Sequence, residues 1–425
     1  MLRKIIDKIF SCDIRIFILL LFVIGLAGRI IALLMFGNWK EPEFEYLAIA
    51  ENIYRGLGYS YDYSGPLALQ PTALFPPIYI YWCYLFILLG SKTFLNMYIG
   101  QTILAASGVM PAYLAGKNFF SKQTGRIIAI IYSIFPEIVF LPLKPTPEFL
   151  YVVFFLWIMY LFSLIYFDLV KNRLWLLSIS IGLLSGIFVL IKIAGLIIFI
   201  SLFCTLLLVN RLKMDAIKNI YIPMLLALFI VLAPWLYRNY VVFDKIFYLR
   251  TGFGYNIWIG NNAYSLGTTR MKNKQPLNPF LQEKFRDYFD AHMGDTEMSY
   301  MDFMQKEGMQ YIKEHKMHYL QLCLKRLYYY WWRDTTHPLT GRPEYFYPYF
   351  VILVFGLGGI YIAFRHRKLY IVFILTMLGY MALYIPVVML PRYRIIQVVI
   401  LIMYGSYFIE QLLNRTKLLS VEEIK

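Results

Sequence analysis

The sequence predicts an all-α polytopic integral membrane protein of about ten transmembrane helices plus a re-entrant or interfacial outer helix, and three observations predict it. Of 425 residues, 60% are hydrophobic and only 16% charged, with a mean hydropathy of +0.58. Soluble domains carry about 25% charged residues, so a soluble globular protein is excluded. Apolar runs recur along the chain, most of them long enough to cross a hydrocarbon core of ~30 Å as a helix. Of the 41 Lys and Arg behind the formal charge of +16, eighteen fall in the tails and short breaks on one side of those runs. That distribution marks cytoplasmic loops and not a nucleic-acid-binding face.

The first run, 14–36, follows Arg3, Lys4, Lys8 and Arg15 and lacks a small-residue cleavage site, so it reads as a retained signal anchor. Further spans are expected at 95–115, 126–143, 149–168, 174–191, 194–209, 219–237, 346–364, 369–389 and 395–412. The run at 76–90 is shorter, opens with Phe75-Pro76-Pro77, and decides the topology. As a span it would turn the breaks holding Lys117, Lys122 and Arg126, then Lys171 and Arg173, then Arg211, Lys213 and Lys218 outward, inverting the positive-inside rule. As a re-entrant or interfacial helix it leaves eighteen Lys and Arg against six acids on the cytoplasmic side. The loop at 37–94, with Lys40, Arg55 and Lys92 against five acids, then lies outside.

The chain accordingly divides into an N-terminal transmembrane module, 1–237, with its first outer loop at 37–94; an extracytoplasmic segment, 238–345; and C-terminal helices with a cytoplasmic tail, 346–425. In the outer segment Thr296 and Glu297 open a helix on which Phe303, Met304, Tyr311, Ile312, Leu320, Leu324 and Leu327 recur at helical spacing toward the aromatic run Tyr328 to Trp332. An amphipathic helix at the membrane interface is the simpler reading of that pattern, ahead of a ligand-stacking platform. Cys12, Cys83, Cys204 and Cys323 are scattered, so neither a disulfide framework nor a cysteine metal site is expected. Within 346–364, Gly356-Leu357-Gly358-Gly359 reads as a close helix contact.

The chemistry gathers in the first outer loop, where Glu41, Glu43 and Glu45 alternate beside Tyr46. Clustered carboxylates repel one another's charge, and one of them is a candidate general base. From Glu45 onward the apolar positions fit a helix, with Glu45 and Ile49 on one face. Acids that merely complement the start of that helix are the structural alternative. Arg238, Arg392 and Arg394 stand at span ends, where guanidinium groups either hold an anion or snorkel. Lys144 and Glu148 border a short turn, and Lys192 separates two spans with the same ambiguity. Arg29 lies inside the first span and is costly unless it faces protein or a polar cleft; pairing with an acid of the outer loop is preferred. Glu41, Glu43 and Asp62 are the candidate ligands for a divalent cation.

The run Glu45-x-x-x-Ile49-Ala50-x-Asn52-x-x-x-Gly56-x-Gly58-Tyr59-Ser60, followed by Pro71-Thr72-Ala73-x-x-Pro76-Pro77-x-Tyr79, resembles the first outer loop of C-type glycosyltransferases, relatives of protein O-mannosyltransferases and of the lipid A aminoarabinose transferase. Three later segments resemble the same superfamily in the right order: Ala233-Pro234-Trp235-Leu236-Tyr237-Arg238-Asn239-Tyr240, Gly254-Tyr255-Asn256-Ile257-Trp258-Ile259-Gly260-Asn261-Asn262, and Arg392-Tyr393-Arg394. The resemblance implies a C-type glycosyltransferase fold and an inverting membrane transferase. Such an enzyme moves a sugar from a polyprenyl-phosphate donor to an envelope glycan, lipid or protein acceptor on the extracytoplasmic face of the plasma membrane. It further implies an acidic base in the first outer loop, basic residues on the lipid phosphate (Arg238, Arg392, Arg394 and Lys144), and Glu148, Tyr46 and Arg29 as acceptor or supporting residues. Where the protein-mannosylating and aminoarabinose branches carry an Asp four residues before the Tyr, this chain has Pro42, so the base stays open among Glu41, Glu43 and Glu45, with Glu45 preferred by its spacing to Ile49-Ala50. The rival readings are a transporter or flippase, or a polymerase, of lipid-linked glycans.

Overall fold

A computed structural model describes residues 10–38, 44–62, 69–90, 94–170, 172–210, 213–244, 249–279, 282–291 and 296–416. Glu41 and Glu43 lie outside them, as do Lys40, Lys92, Lys171 and Arg211.

The first span, α1 (Ile14–Phe36), starts where the Asp13 carboxylate accepts the backbone N–H of Arg15 at 2.8 Å. Ile16, Leu19, Leu20, Val23 and Ile24 stay exposed along it, an apolar surface suited to lipid. Next come α2 (Glu45–Tyr54), a two-stranded antiparallel ribbon of β1 (Ser60–Tyr61) and β2 (Gln70–Pro71), and α3 (Pro77–Leu88). Twelve residues make α3 a rod of roughly 18 Å, short of a bilayer.

The expected span at 95–115 is divided into α4 (Leu95–Ser107) and α5 (Val109–Phe119). Pro111 cannot donate to the turn before it, and the Tyr132 hydroxyl donates to the Ala105 carbonyl at 2.6 Å, so helical hydrogen bonds give way around Gly108. The span at 126–143 is likewise bent, by 51°, between α6 (Lys122–Ile134) and α7 (Pro136–Phe140), because Pro136 drives Phe135 to an extended conformation. The remaining membrane helices are α8 (Glu148–Tyr166), α9 (Leu174–Ile191), α10 (Gly195–Asn210) and α11 (Ile222–Phe243). Among the described residues six helices are long and apolar enough to span, seven if the bent pair counts as one; α10 is among the shorter apolar ones.

Between α11 and the final helices lie α12 (Phe253–Gly260), α13 (Glu283–Ala291), α14 (Glu297–Glu314) and α15 (Lys316–Trp331). Thr296 caps α14 through the Ser299 N–H, as expected. The helical pattern then breaks at His315. On α15 one face is buried through Leu322, Arg326 and Tyr330, while Met317, Leu320, Leu324 and Tyr328 form an exposed apolar stripe. Three helices close the chain: α16 (Pro343–Arg365), α17 (Ile371–Tyr384) and α18 (Ile395–Arg415). Helix α16 packs along α18, and at Gly359 any Cβ would collide with the Tyr404 carbonyl oxygen, which accounts for the glycine cluster.

The starts of α8 and α18 and the ends of α9 and α11 meet α2, the ribbon and α12–α15 at one end of the bundle, the loop-rich end. The clamps that hold it are main-chain contacts: Arg238 Nη1 donates to the Thr72 carbonyl, Arg250 Nε to that of Leu74, and the Glu297 carboxylate accepts the Ala73 N–H.

Candidate active site at the loop-rich end

The loop carrying Glu45 is shaped by its glycines. Gly56 and Gly58 have φ of +78° and +71°, left-handed values that a side chain would strain. They turn the chain so that Asn52 Nδ2 donates to the Ser60 carbonyl at 3.0 Å and the Tyr59 hydroxyl to that of Phe75 at 2.9 Å. Glu45 then stands exposed in the first turn of α2, while Leu47, Ile49 and Ala50 further along the helix are buried. Its charge is felt by Tyr61 and Tyr255. Tyr255 is half-buried, and loss of hydration, with the Glu45 charge second, pushes its phenol up to about 12.

Beside this lies a cluster of cations around one acid. The Glu148 side chain is 4% exposed and opens α8. Its Oε1 is 3.4 Å from Lys192 Nζ and 3.9 Å from Arg392 Nε, and the Thr146 side chain also favours its charged form. The Arg392 side chain remains 45% exposed. Lys144, exposed on its turn, lies within electrostatic range of Arg392, Glu148 and Arg270. That turn is fixed by Gln101, whose Nε2 donates to the Pro142 carbonyl at 2.9 Å while its Oε1 accepts the Tyr79 hydroxyl at 2.7 Å.

Tyr46 packs on Phe75 and Tyr79 and senses both Glu148 and Arg392; burial, ahead of the Glu148 charge, raises its phenol. Tyr393 stacks on Tyr384 and lies within reach of Tyr46 and Tyr255, so aromatic rings join the Glu45 side to the cation side.

The other sequence-predicted arginines are engaged with the chain itself. Arg238 donates to the Thr72 and Tyr59 carbonyls at 2.7 and 3.0 Å and to Asn239 Oδ1, and sits over the Tyr59 and Trp235 rings. Arg394 is buried, donates to the Trp332 carbonyl at 2.9 Å and lies over the Tyr349 ring. Among the described residues Arg29 pairs with no acid; Glu41 and Glu43 of the outer loop, two of its expected partners, lie outside them. The Arg29 guanidinium donates to the carbonyls of Gly25, Ser133 and Tyr132 and ties α1 to the end of α6, where the bend leaves carbonyls in need of donors. Among the described residues no three His, Cys, Asp or Glu side chains gather as a metal site; the Glu41–Glu43–Asp62 cation site lies partly outside those residues.

The Gly-Asn-Asn run ends α12. Asn261 Nδ2 donates to the Ile257 carbonyl at 2.9 Å, and its Oδ1 accepts Arg326 Nη2 at 2.7 Å. The same buried guanidinium donates to the carbonyls of Gly260, Gly267, Ile385 and Pro386.

Among solved structures, the Archaeoglobus fulgidus oligosaccharyltransferase in complex with zinc and sulfate matches with a TM-score of 0.55 at 15% identity, over 94% of this chain and 49% of that one. The same enzyme tethered with an acceptor peptide containing the NVT sequon matches at 0.55 and 12%, over 96% and 51%. The archaeal oligosaccharyltransferase AglB from that organism, with an inhibitory peptide and a dolichol-phosphate, matches at 0.54 and 13%, over 94% and 50%. The chain has the fold of an oligosaccharyltransferase. That is the C-type glycosyltransferase architecture the resemblance implied, over about half the length of the oligosaccharyltransferases it matches. No protein-family model and no curated protein matches the sequence. Within the oligosaccharyltransferase-like fold, the residues that sequence reasoning missed are Arg250 and Arg326, which bind carbonyls; Tyr255, which senses the Glu45 charge, stood in the Gly254 to Asn262 segment with no role of its own. The one available signal was a lone Arg on the amphipathic pattern of α15.

Proposed function

We propose that this chain is a membrane glycosyltransferase that moves a sugar from a polyprenyl-phosphate donor to an acceptor on the extracytoplasmic face of the plasma membrane, with inversion. The observation that carries the reading is the meeting of an exposed acid, Glu45, with an excess of cations around Glu148 at one end of the bundle. In this reaction the acceptor oxygen or nitrogen attacks the anomeric carbon and Glu45 takes its proton. The bond from that carbon to the phosphate oxygen breaks, its electron pair leaving on the lipid phosphate. Arg392 and Lys144 stabilise that developing charge. Arg238 and Arg394, engaged with carbonyls, fix the backbone that carries Tyr59 and Arg392. The likeness to a protein solved with a dolichol-phosphate and to one tethered with an acceptor peptide supports a lipid-phosphate donor and admits a protein acceptor.

The test compares glycan and lipid profiles by mass spectrometry in cells carrying wild type or Glu45→Gln at matched protein levels. Loss of a proton acceptor of this kind costs ~10²–10⁴-fold in rate. The expected result is one acceptor lacking a sugar while the polyprenyl-phosphate sugar accumulates. An unchanged profile moves the base to Glu43 or Glu41, and silence of all three variants favours a transporter.

A further inference from the structure

Lys192 occupies the three-residue break between α9 and α10, at the loop-rich end. The groups facing it come from three elements. Helix α8 supplies Glu148 and the ring of Tyr151, whose centroid is 5.6 Å from Nζ. The turn before α18 supplies Arg392 and the ring of Tyr393, 4.8 Å away. The segment before α12 supplies Arg250, whose Nε is committed to the Leu74 carbonyl.

One carboxylate thus serves Lys192 and Arg392 together, with Lys144 and Arg250 adding positive charge around it. Charge taken out of water is costly until it is paired. Glu148 can neutralise one of these cations, so the cluster as it stands is short of negative charge. A second anion, entering past the half-exposed Arg392, completes it.

We propose that Lys192 is a further ligand of the donor phosphate, held ready by Glu148 and transferring its contact to the phosphate oxygen from which the sugar departs. The proposal rests on the transferase reading above. Lys192 keeps all its protons through the step: the bonding pair leaves on the phosphate, the acceptor's proton goes to Glu45, and the ammonium only shields the new charge.

Burial, ahead of the opposing pull of Glu148 and with the push of Arg392, lowers the Lys192 ammonium to about 8. Its charge is present below that pH and lost above it, so phosphate affinity falls as pH rises. A bound phosphate favours the charged form and moves the loss to higher pH.

The experiment measures binding of a polyprenyl monophosphate to the full-length protein in lipid nanodiscs at pH 7 and pH 9.5, for wild type, K192R and K192M. Wild type is expected to bind on the order of tenfold more weakly at the higher pH, as one charge-assisted contact is lost. K192R, which does not titrate in this range, keeps the binding and loses the pH dependence, which also separates the effect from ionisation of the phosphate itself. K192M binds on the order of tenfold more weakly at pH 7 and is flat. If K192M and K192R both reproduce the wild-type profile, the Lys192 role is overturned and the transferase reading stands. If wild type binds no polyprenyl phosphate at either pH, the transferase reading itself falls.

Discussion

Glu148 is the residue on which two cations depend. Its Oε1 holds Lys192 at 3.4 Å and Arg392 at 3.9 Å, and its charge is what opposes the desolvation of Lys192. Glu148→Gln removes that opposition, so the Lys192 ammonium loses its proton more readily and the alkaline fall in polyprenyl-phosphate binding moves below pH 8. An alkaline limb unmoved by Glu148→Gln would show that Glu148 does not set the charge of Lys192. At this scale the sequence was partly legible. Charged residues at span ends marked the site region, and Lys144, Glu148 and Arg392 do gather there. Arg29, Arg238 and Arg394 look the same in a sequence, yet their partners are carbonyl oxygens, which every residue carries and no residue type announces.

At the scale of elements, the motif that looked most specific is a joint. The Gly-Asn-Asn run lets α12 end against the 385–387 segment: a Cβ on Gly254 would strike the Met301 carbonyl, and one on Gly260 that of Val387. Arg326 of α15 then pins both sides by donating to the Gly260, Ile385 and Pro386 carbonyls and to Asn261 Oδ1. The same segment leads directly into Pro391–Arg394, which carries Arg392. Arg326→Met takes that donor from the buried Asn261 Oδ1 and the Ile385 carbonyl, each loss costing about 1–3 kcal/mol, while the Gly260 and Pro386 carbonyls keep Ser265 and Asn261 as donors. The expected outcome is a lower melting temperature in detergent and faster proteolysis between 385 and 391. Arg326→Lys recovers only part of this, since an ammonium cannot reach several carbonyls in the geometry of a planar fork. Equal stability of wild type and Arg326→Met would remove the joint. Periodicity pointed to the helical stretch that holds α14 and α15, because burial repeats with the helix period, while α12 and α13 carried no expectation. The divisions at Gly108, Pro136 and His315 were invisible to it, since a break of one or two residues leaves the apolar pattern on either side intact.

For the whole molecule, sidedness links the charge pattern to the chemistry. The loop-rich end carries Glu45, Lys144, Glu148, Lys192 and Arg392, and the opposite end carries the breaks rich in Lys and Arg, including Lys117, Lys122, Arg173, Arg365 and Lys368. The positive-inside rule assigns that opposite end to the cytoplasm; on the proposed function the candidate site then faces the side where lipid-linked sugars, and not soluble nucleotide sugars, are at hand. Lys272, on the outer segment, and Asn172, in the break between α8 and α9, are both exposed and sit at the two ends. With Cys12, Cys83, Cys204 and Cys323 replaced by alanine, Lys272→Cys is expected to react with a membrane-impermeant maleimide in intact cells, and Asn172→Cys only after permeabilisation. The reverse pattern would place Glu45 and the cations on the cytoplasmic face. A polyprenyl-phosphate donor would then lose its advantage over a soluble nucleotide sugar, and the excess of Lys and Arg in the opposite breaks would need another cause.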